Sequence, residues 1–132
     1  TTESYTLSLH DALPIYIWWY KTVDALKEVH RILRVGGIFE VHVPDFSVIV
    51  NAYRNKQCGD GWRANNPDGD YMQWVNGRIF TYGGPGNTHR AAFDQAHLTA
   101  CLRDAGFNDI SLGAVIRGHN HGKINLGMTA IK

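Results

Sequence analysis

Apolar residues recur three and four apart at Val23, Leu26, Val29 and Leu33, which predicts an amphipathic helix. Thr22 is placed to cap its start, and Asp24 lies in the first turn, where the helix dipole favours an anion. Arg31 and Arg34 fall at the other end, with Gly36 in position for a left-handed stop. The period then changes to two. Phe39, Val41 and Val43 share one face and Ile38, Glu40 and His42 the other, which predicts a strand that Pro44 ends. Further on, Phe46 to Tyr53 reads as a short helix with Ser47 as a candidate cap, and Tyr71 to Phe80 as another carrying Met72, Val75 and Ile79 on a stripe. Between them Lys56 to Asp70 loses all period and reads as a loop. Phe93, His97, Cys101 and Ala105, widened by Leu98 and Leu102, predict a helix from Phe93 to Ala105, with Gly106 and Phe107 suited to its stop. Asn108 to Ile116 and Ile124 to Ile131 read as strands joined by the polar turn Arg117 to Lys123, an antiparallel hairpin. The predicted class is therefore α/β.

Composition narrows the function classes. A 132-residue chain with 44% hydrophobic and 19% charged residues suits one globular domain. A net charge of +1 gives no electrostatic case for a nucleic acid or a membrane surface. No apolar run approaches the about 20 residues of a membrane span. Cys58 and Cys101 stand far apart without metal spacing, which fits reduced thiols in the cytoplasm. The acidic positions Asp60, Asp68 and Asp70 miss the EF-hand spacing. His119 and His121 have no third ligand beside them, so no metal is expected.

The run ALKEVHRILRVGGIFEVHVPD, Ala25 to Asp45, resembles a segment of class I S-adenosylmethionine (SAM)-dependent methyltransferases, of the type 11 kind. Leu26, Glu28, Arg31, Leu33, Gly36, Gly37, Pro44 and Asp45 carry the match, and Val35 stands where that family usually has proline. LTACLRDAGF, Leu98 to Phe107, is similar to the family's phrase before its sixth strand. Tyr82-Gly83-Gly84, His89-Arg90 and Phe93-Asp94 also have counterparts there. The resemblance implies a partial Rossmann-like sheet in which Ile38 to Val43 is the fifth strand and the closing strand is reversed. It implies SAM as cofactor and a small-molecule acceptor. The family's cofactor site uses a glycine-rich turn after the first strand and an acidic residue ending the second. No such glycine motif occurs in this chain. The expectation is that residues 16–132 represent the C-terminal part of such a domain. Residues 1–15 are set apart, because SYTLSLHDALPI, Ser4 to Ile15, resembles a translated sequencing adapter. On that reading the strand at Ile38 has one unpaired edge.

Ligands of open α/β sheets bind beyond the carboxyl ends of the strands. That places Asp45 at the functional edge, with Tyr82, His89 and Arg90 of the glycine-flanked segment as the rest of the substrate wall. His89 is the side chain there able to act as a base near neutral pH, or else it lines the substrate or ties down the loop. Trp18, Trp19 and Tyr20 are expected to pack against the first helix. Beside the methyltransferase reading stand a non-catalytic α/β module and, less in keeping with the closing hairpin, an oxidoreductase.

Overall fold

In a computed structural model, which describes residues 6–10, 13–81, 88–113 and 124–132, the chain forms a four-stranded sheet with helices on one face and a smaller helical layer at one edge. The strands are β1 (Thr6–His10), β2 (Ile38–Pro44), β3 (Asp109–Leu112) and β4 (Asn125–Ile131). Their order is β1-β2-β4-β3. β1 runs parallel to β2, whereas β4 is antiparallel to both β2 and β3. The last strand in sequence thus lies inside the sheet, and β1, β2 and β3 all point the same way. This is an α/β sheet with a reversed final strand, as the sequence implies.

Alternation decides which face is buried. Phe39, Val41 and Val43 of β2 stand opposite Ala130, Met128 and Leu126 of β4, and all six are buried. Two helices cover this face: α2 (Thr22–Ile32) contributes Leu26, and α6 (Gln95–Asp104) contributes Leu98, Cys101 and Leu102. Phe107 stacks on Phe39 with ring centroids 5.7 Å apart. On the other face Ile38, Glu40, Thr129 and Ile131 are only half-buried, but His42 is 1% exposed.

Four features depart from the sequence expectations. Thr6–His10 pairs along β2, so β2 has a neighbour on each side where an open edge is expected. Thr22 does not cap its helix: it lies inside α2 and is buried, while Lys21 takes the cap position without a side-chain bond. α2 also ends at Ile32, and Gly36, at φ +80°, serves the Arg34–Gly37 turn instead, in which the Gly37 N–H donates to the Arg34 carbonyl at 2.8 Å. That φ is the one a type II turn requires at its third residue. Finally, β3 stops at Leu112, and Ala114, Ile116, His119 and His121 lie outside the described residues.

The edge layer consists of α3 (Phe46–Arg54), α4 (Asp60–Asn65) and α5 (Tyr71–Ile79). Ile49, Trp74 and Ile124 form its core, with Cys58 and Trp62 packed against them. A short α1 (Leu13–Tyr16) and one 3₁₀ turn, Trp19–Lys21, precede α2.

Candidate functional site

Three aspartates start the helices around the carboxyl end of β2. The Asp45 Oδ1 accepts from the Ser47 N–H at 3.0 Å and from the Ser47 hydroxyl at 2.7 Å, which fixes the first turn of α3 directly after the strand. Asp70 and Gln73 form a reciprocal capping box on α5. Asp94 accepts from the His97 N–H at 2.8 Å and starts α6. Each cap satisfies a donor that the helix itself leaves open. Asp45, expected on the substrate wall, therefore has one carboxylate oxygen engaged in holding α3, and Ser47 is its donor instead of being the cap.

The backbone around Asp45 is tied to two other segments. Its N–H donates to the Ile124 carbonyl at 2.6 Å, and the Phe46 N–H donates to the Phe93 carbonyl at 2.8 Å. The residues before Phe93 are held in turn by the stretch ahead of α2. The Arg90 N–H donates to the Ile15 carbonyl at 2.6 Å, and the Trp19 N–H donates to the Arg90 carbonyl at 3.1 Å. These bonds bring His89 and Arg90 to the sheet edge where β2 ends.

A cleft lies there, walled by Ile15, Pro44, Phe46, Ile49, Arg78, Ile79, His89, Ala91 and Ala92. The cleft is shallow: the centre of a water-sized sphere has about 10 Å³ to move in, room for about one water. Its floor is apolar. Arg78 and His89 are the two ionisable side chains among the described lining residues. The His89 ring lies 5.4 Å from the Tyr16 ring, tilted by 60°. Arg90 points elsewhere: its guanidinium carbon sits 5.0 Å over the Trp18 ring. Asp45 adjoins two of the walls through Pro44 and Phe46. Tyr82 lies outside the described residues. The pattern-based reading missed Arg78, whose one signal was a cation in the last turn of a predicted helix.

The surrounding elements differ in part from expectation. Trp18, Trp19 and Tyr20 are 50, 66 and 60% exposed; Trp18 and Trp19 each pack on Tyr20, and Arg90 lies over Trp18. The excursion from Lys56 to Asp70 contains α4 and does not line the cleft. Arg63 closes it, donating from Nη1 to the carbonyls of Pro67 at 3.2 Å and Gly69 at 2.9 Å. Its guanidinium also lies over Trp62 and Tyr71. Among the described residues no group of three or more His, Cys, Asp or Glu could hold a metal ion. Nor is any described helix long and apolar enough to cross a membrane.

The sequence matches no protein-family profile and no curated protein. The fold, by contrast, has a solved counterpart. An inferred O-methyltransferase from Nostoc punctiforme PCC 73102 superposes on 98% of the chain with a TM-score of 0.55 at 14% identity. The chain spans 33% of that protein's length. At this identity the likeness is one of fold.

Proposed function

We propose that this chain forms the acceptor-side part of a SAM-dependent methyltransferase of class I that acts on a small molecule. The observation that carries the reading is the superposition of nearly the whole chain on a third of an inferred O-methyltransferase. The position of the cleft supports it, because the carboxyl ends of strands are where open α/β sheets bind ligands.

SAM would supply an electrophilic methyl group. Among the described residues no glycine-rich turn links a parallel strand to a helix, and the carboxylate that follows β2 is engaged in the α3 cap. These residues do not form a cofactor cradle, so the proposal assigns SAM to a glycine-rich segment of a longer protein. What this chain supplies is orientation, on which methyl transfer chiefly depends. Pro44, Phe46 and Ile79 confine the acceptor and exclude water. His89, beside Tyr16, is placed to take a proton from an acceptor hydroxyl or amine. Asp45 and Arg90 serve the site through its framework, one by starting α3 and the other by holding Trp18. Tyr82 completes the substrate wall in this proposal.

The lack of a glycine-rich cradle also favours a second reading, a non-catalytic module of the same fold. Methyl transfer from labelled SAM to small hydroxylated and amino compounds, by this chain within its complete reading frame, separates the two. Under the first reading transfer occurs, and His89→Ala lowers it by about 100-fold or more, the usual contribution of a general base. Transfer that is unchanged in His89→Ala removes the base role. No transfer and no SAM binding leaves the module.

A further inference from the structure

α3 and α5 pack on each other, and their ends wall two openings. The start of α3 and the end of α5 belong to the shallow cleft beside His89. The end of α3 and the start of α5 wall a second, larger groove, lined by Tyr53, Arg54, Lys56, Asp70, Tyr71 and Met72. The centre of a water-sized sphere has about 480 Å³ to move in there, against about 10 Å³ in the cleft. That is room for a small organic molecule in a groove open to solvent. Tyr53 and Met72, 43 and 46% exposed, offer apolar surface together with Tyr71, whose ring lies 5.0 Å under the Arg63 guanidinium. Arg54 and Lys56 add two cations, and among the described residues neither forms an ion pair. The carboxylate of the lining, Asp70, has its Oδ1 engaged by the Gln73 N–H at 2.8 Å. Tyr71 and Met72 are the first two residues of α5, whose N–H groups find no acceptor within the helix.

Lys56 reaches this groove from a strained position. The Gln57 N–H donates to the Ala52 carbonyl at 2.8 Å and the Lys56 N–H to the Tyr53 carbonyl at 3.2 Å, the double bond pattern that stops a helix on a left-handed residue. That residue is usually glycine, but here it is Lys56, at φ +53°. A side chain that resists this conformation thus stands where it adds an ammonium to the groove.

We propose that this groove binds a phosphate monoester of a flat aromatic compound, with the phosphate on Arg54, Lys56 and the start of α5 and the ring against Tyr53, Tyr71 and Met72. The donor set favours phosphate over a carboxylate: a guanidinium fork, a compact ammonium and the N–H groups of a helix start together match a near-dianion with three free oxygens. The inference stands without the methyltransferase reading, because no residue lines both the groove and the cleft.

The test is titration of the intact chain, without SAM, with naphthyl phosphate, naphthol and inorganic phosphate, followed by calorimetry and by the chemical shift of the Met72 methyl group. Naphthyl phosphate is expected to bind at least about tenfold more tightly than either of the others, the scale of a hydrogen bond to a charged group. Lys56→Gly is expected to weaken it by about fivefold, the upper end for one exposed charge pair, while the thermal midpoint holds or rises because glycine relieves the left-handed strain. Arg54→Gln is expected to weaken it similarly, and the two changes together to remove its advantage over naphthol. Naphthol that binds as tightly as the ester overturns the proposal, and so does an advantage that survives in the double variant. Inorganic phosphate that binds as tightly as the ester reduces the groove to an adventitious anion site and overturns it too, as does binding of none of the three. The wild-type comparison needs no variant to fold, and Lys56→Gly separates lost affinity from lost structure.

Discussion

Asp45 carries two pieces of information that the sequence runs together. A Pro-Asp pair after a strand marks the ligand edge of an α/β sheet, but an aspartate followed at two positions by serine is also an N-cap in waiting. The structure shows the second role directly, a role whose loss typically costs ~1 kcal/mol. Cys101 is a similar case of surroundings deciding chemistry. Burial, and secondly the negative charge of Asp104, push its thiol above the ordinary value of 9.0. His97 Nε2 lies 3.6 Å from the sulfur. The folded protein therefore holds the thiol proton more tightly than the unfolded chain. The stability this contributes is fully present below pH 9 and is lost as the pH rises through the higher folded value. Denaturant melts between pH 7 and about pH 10.5 should show a steeper alkaline loss for the wild type than for Cys101→Ala; parallel curves would show that the thiol is not linked to folding. The exposed Glu28–Arg31 pair, 2.6 Å apart, lowers the Glu28 carboxyl and raises the Arg31 guanidinium, but solvent screens it and it contributes little.

At the level of the element, what could be read in the sequence was what local physics fixes. α6 ends as its residues announce: the Gly106 N–H donates to the Arg103 carbonyl and the Phe107 N–H to the Leu102 carbonyl, with Gly106 at φ +110° and Phe107 folded back into the core. Gly106→Ala should lower stability by more than the about 1–2 kcal/mol of left-handed strain, because the added Cβ would stand 3.3 Å from the His30 ring. Gly36→Ala, with φ +80° and open space around it, should show the strain alone. Equal losses by thermal melting would mean that the His30 ring yields freely. What escaped the sequence was held together from a distance. α4 lies in a run of Gly, Asn and Asp that reads as loop, and it persists because Arg63 binds the carbonyls that follow it and lies over two aromatic rings. Thr6–His10 alternates over too few residues to stand out, and its extension is supported by pairing with β2. Arg78 offered no signal in the sequence beyond a cation near a helix end, which the helix dipole explains by itself.

For the molecule as a whole, the sheet order sets where the weak side lies. β1 and β3 are the outer strands among those described, and β1 shields the apolar strand β2. Deletion of residues 1–12 should bare the β2 backbone and produce concentration-dependent self-association in sedimentation or light scattering. A monodisperse truncated chain would show that β1 is not what keeps β2 apart from other copies. The same order brings the site together: β2 delivers Pro44, and the backbone bonds of Arg90 to Ile15 and Trp19 deliver His89 from far along the chain. The α/β fold class was legible from periodicity and from the GG…VPD run. The pairing of residues 88–92 with residues 15–19 was not, because no local pattern encodes it.

The inward position of β4 has a bearing on biosynthesis. Ile38 meets Ile131, and Asp109 meets the same residue from the other side. Until the ribosome has delivered residues 125–131, β2 and β3 have no strand to join them, and the apolar faces of α2 and α6 have only half a sheet to close upon. A nascent chain halted before Asn125 then lacks the strand that joins β2 to β3, and its apolar faces are exposed to chaperones and proteases for as long as the pause lasts. The order of translation thus makes delivery of this seven-residue strand the step that joins β2 to β3.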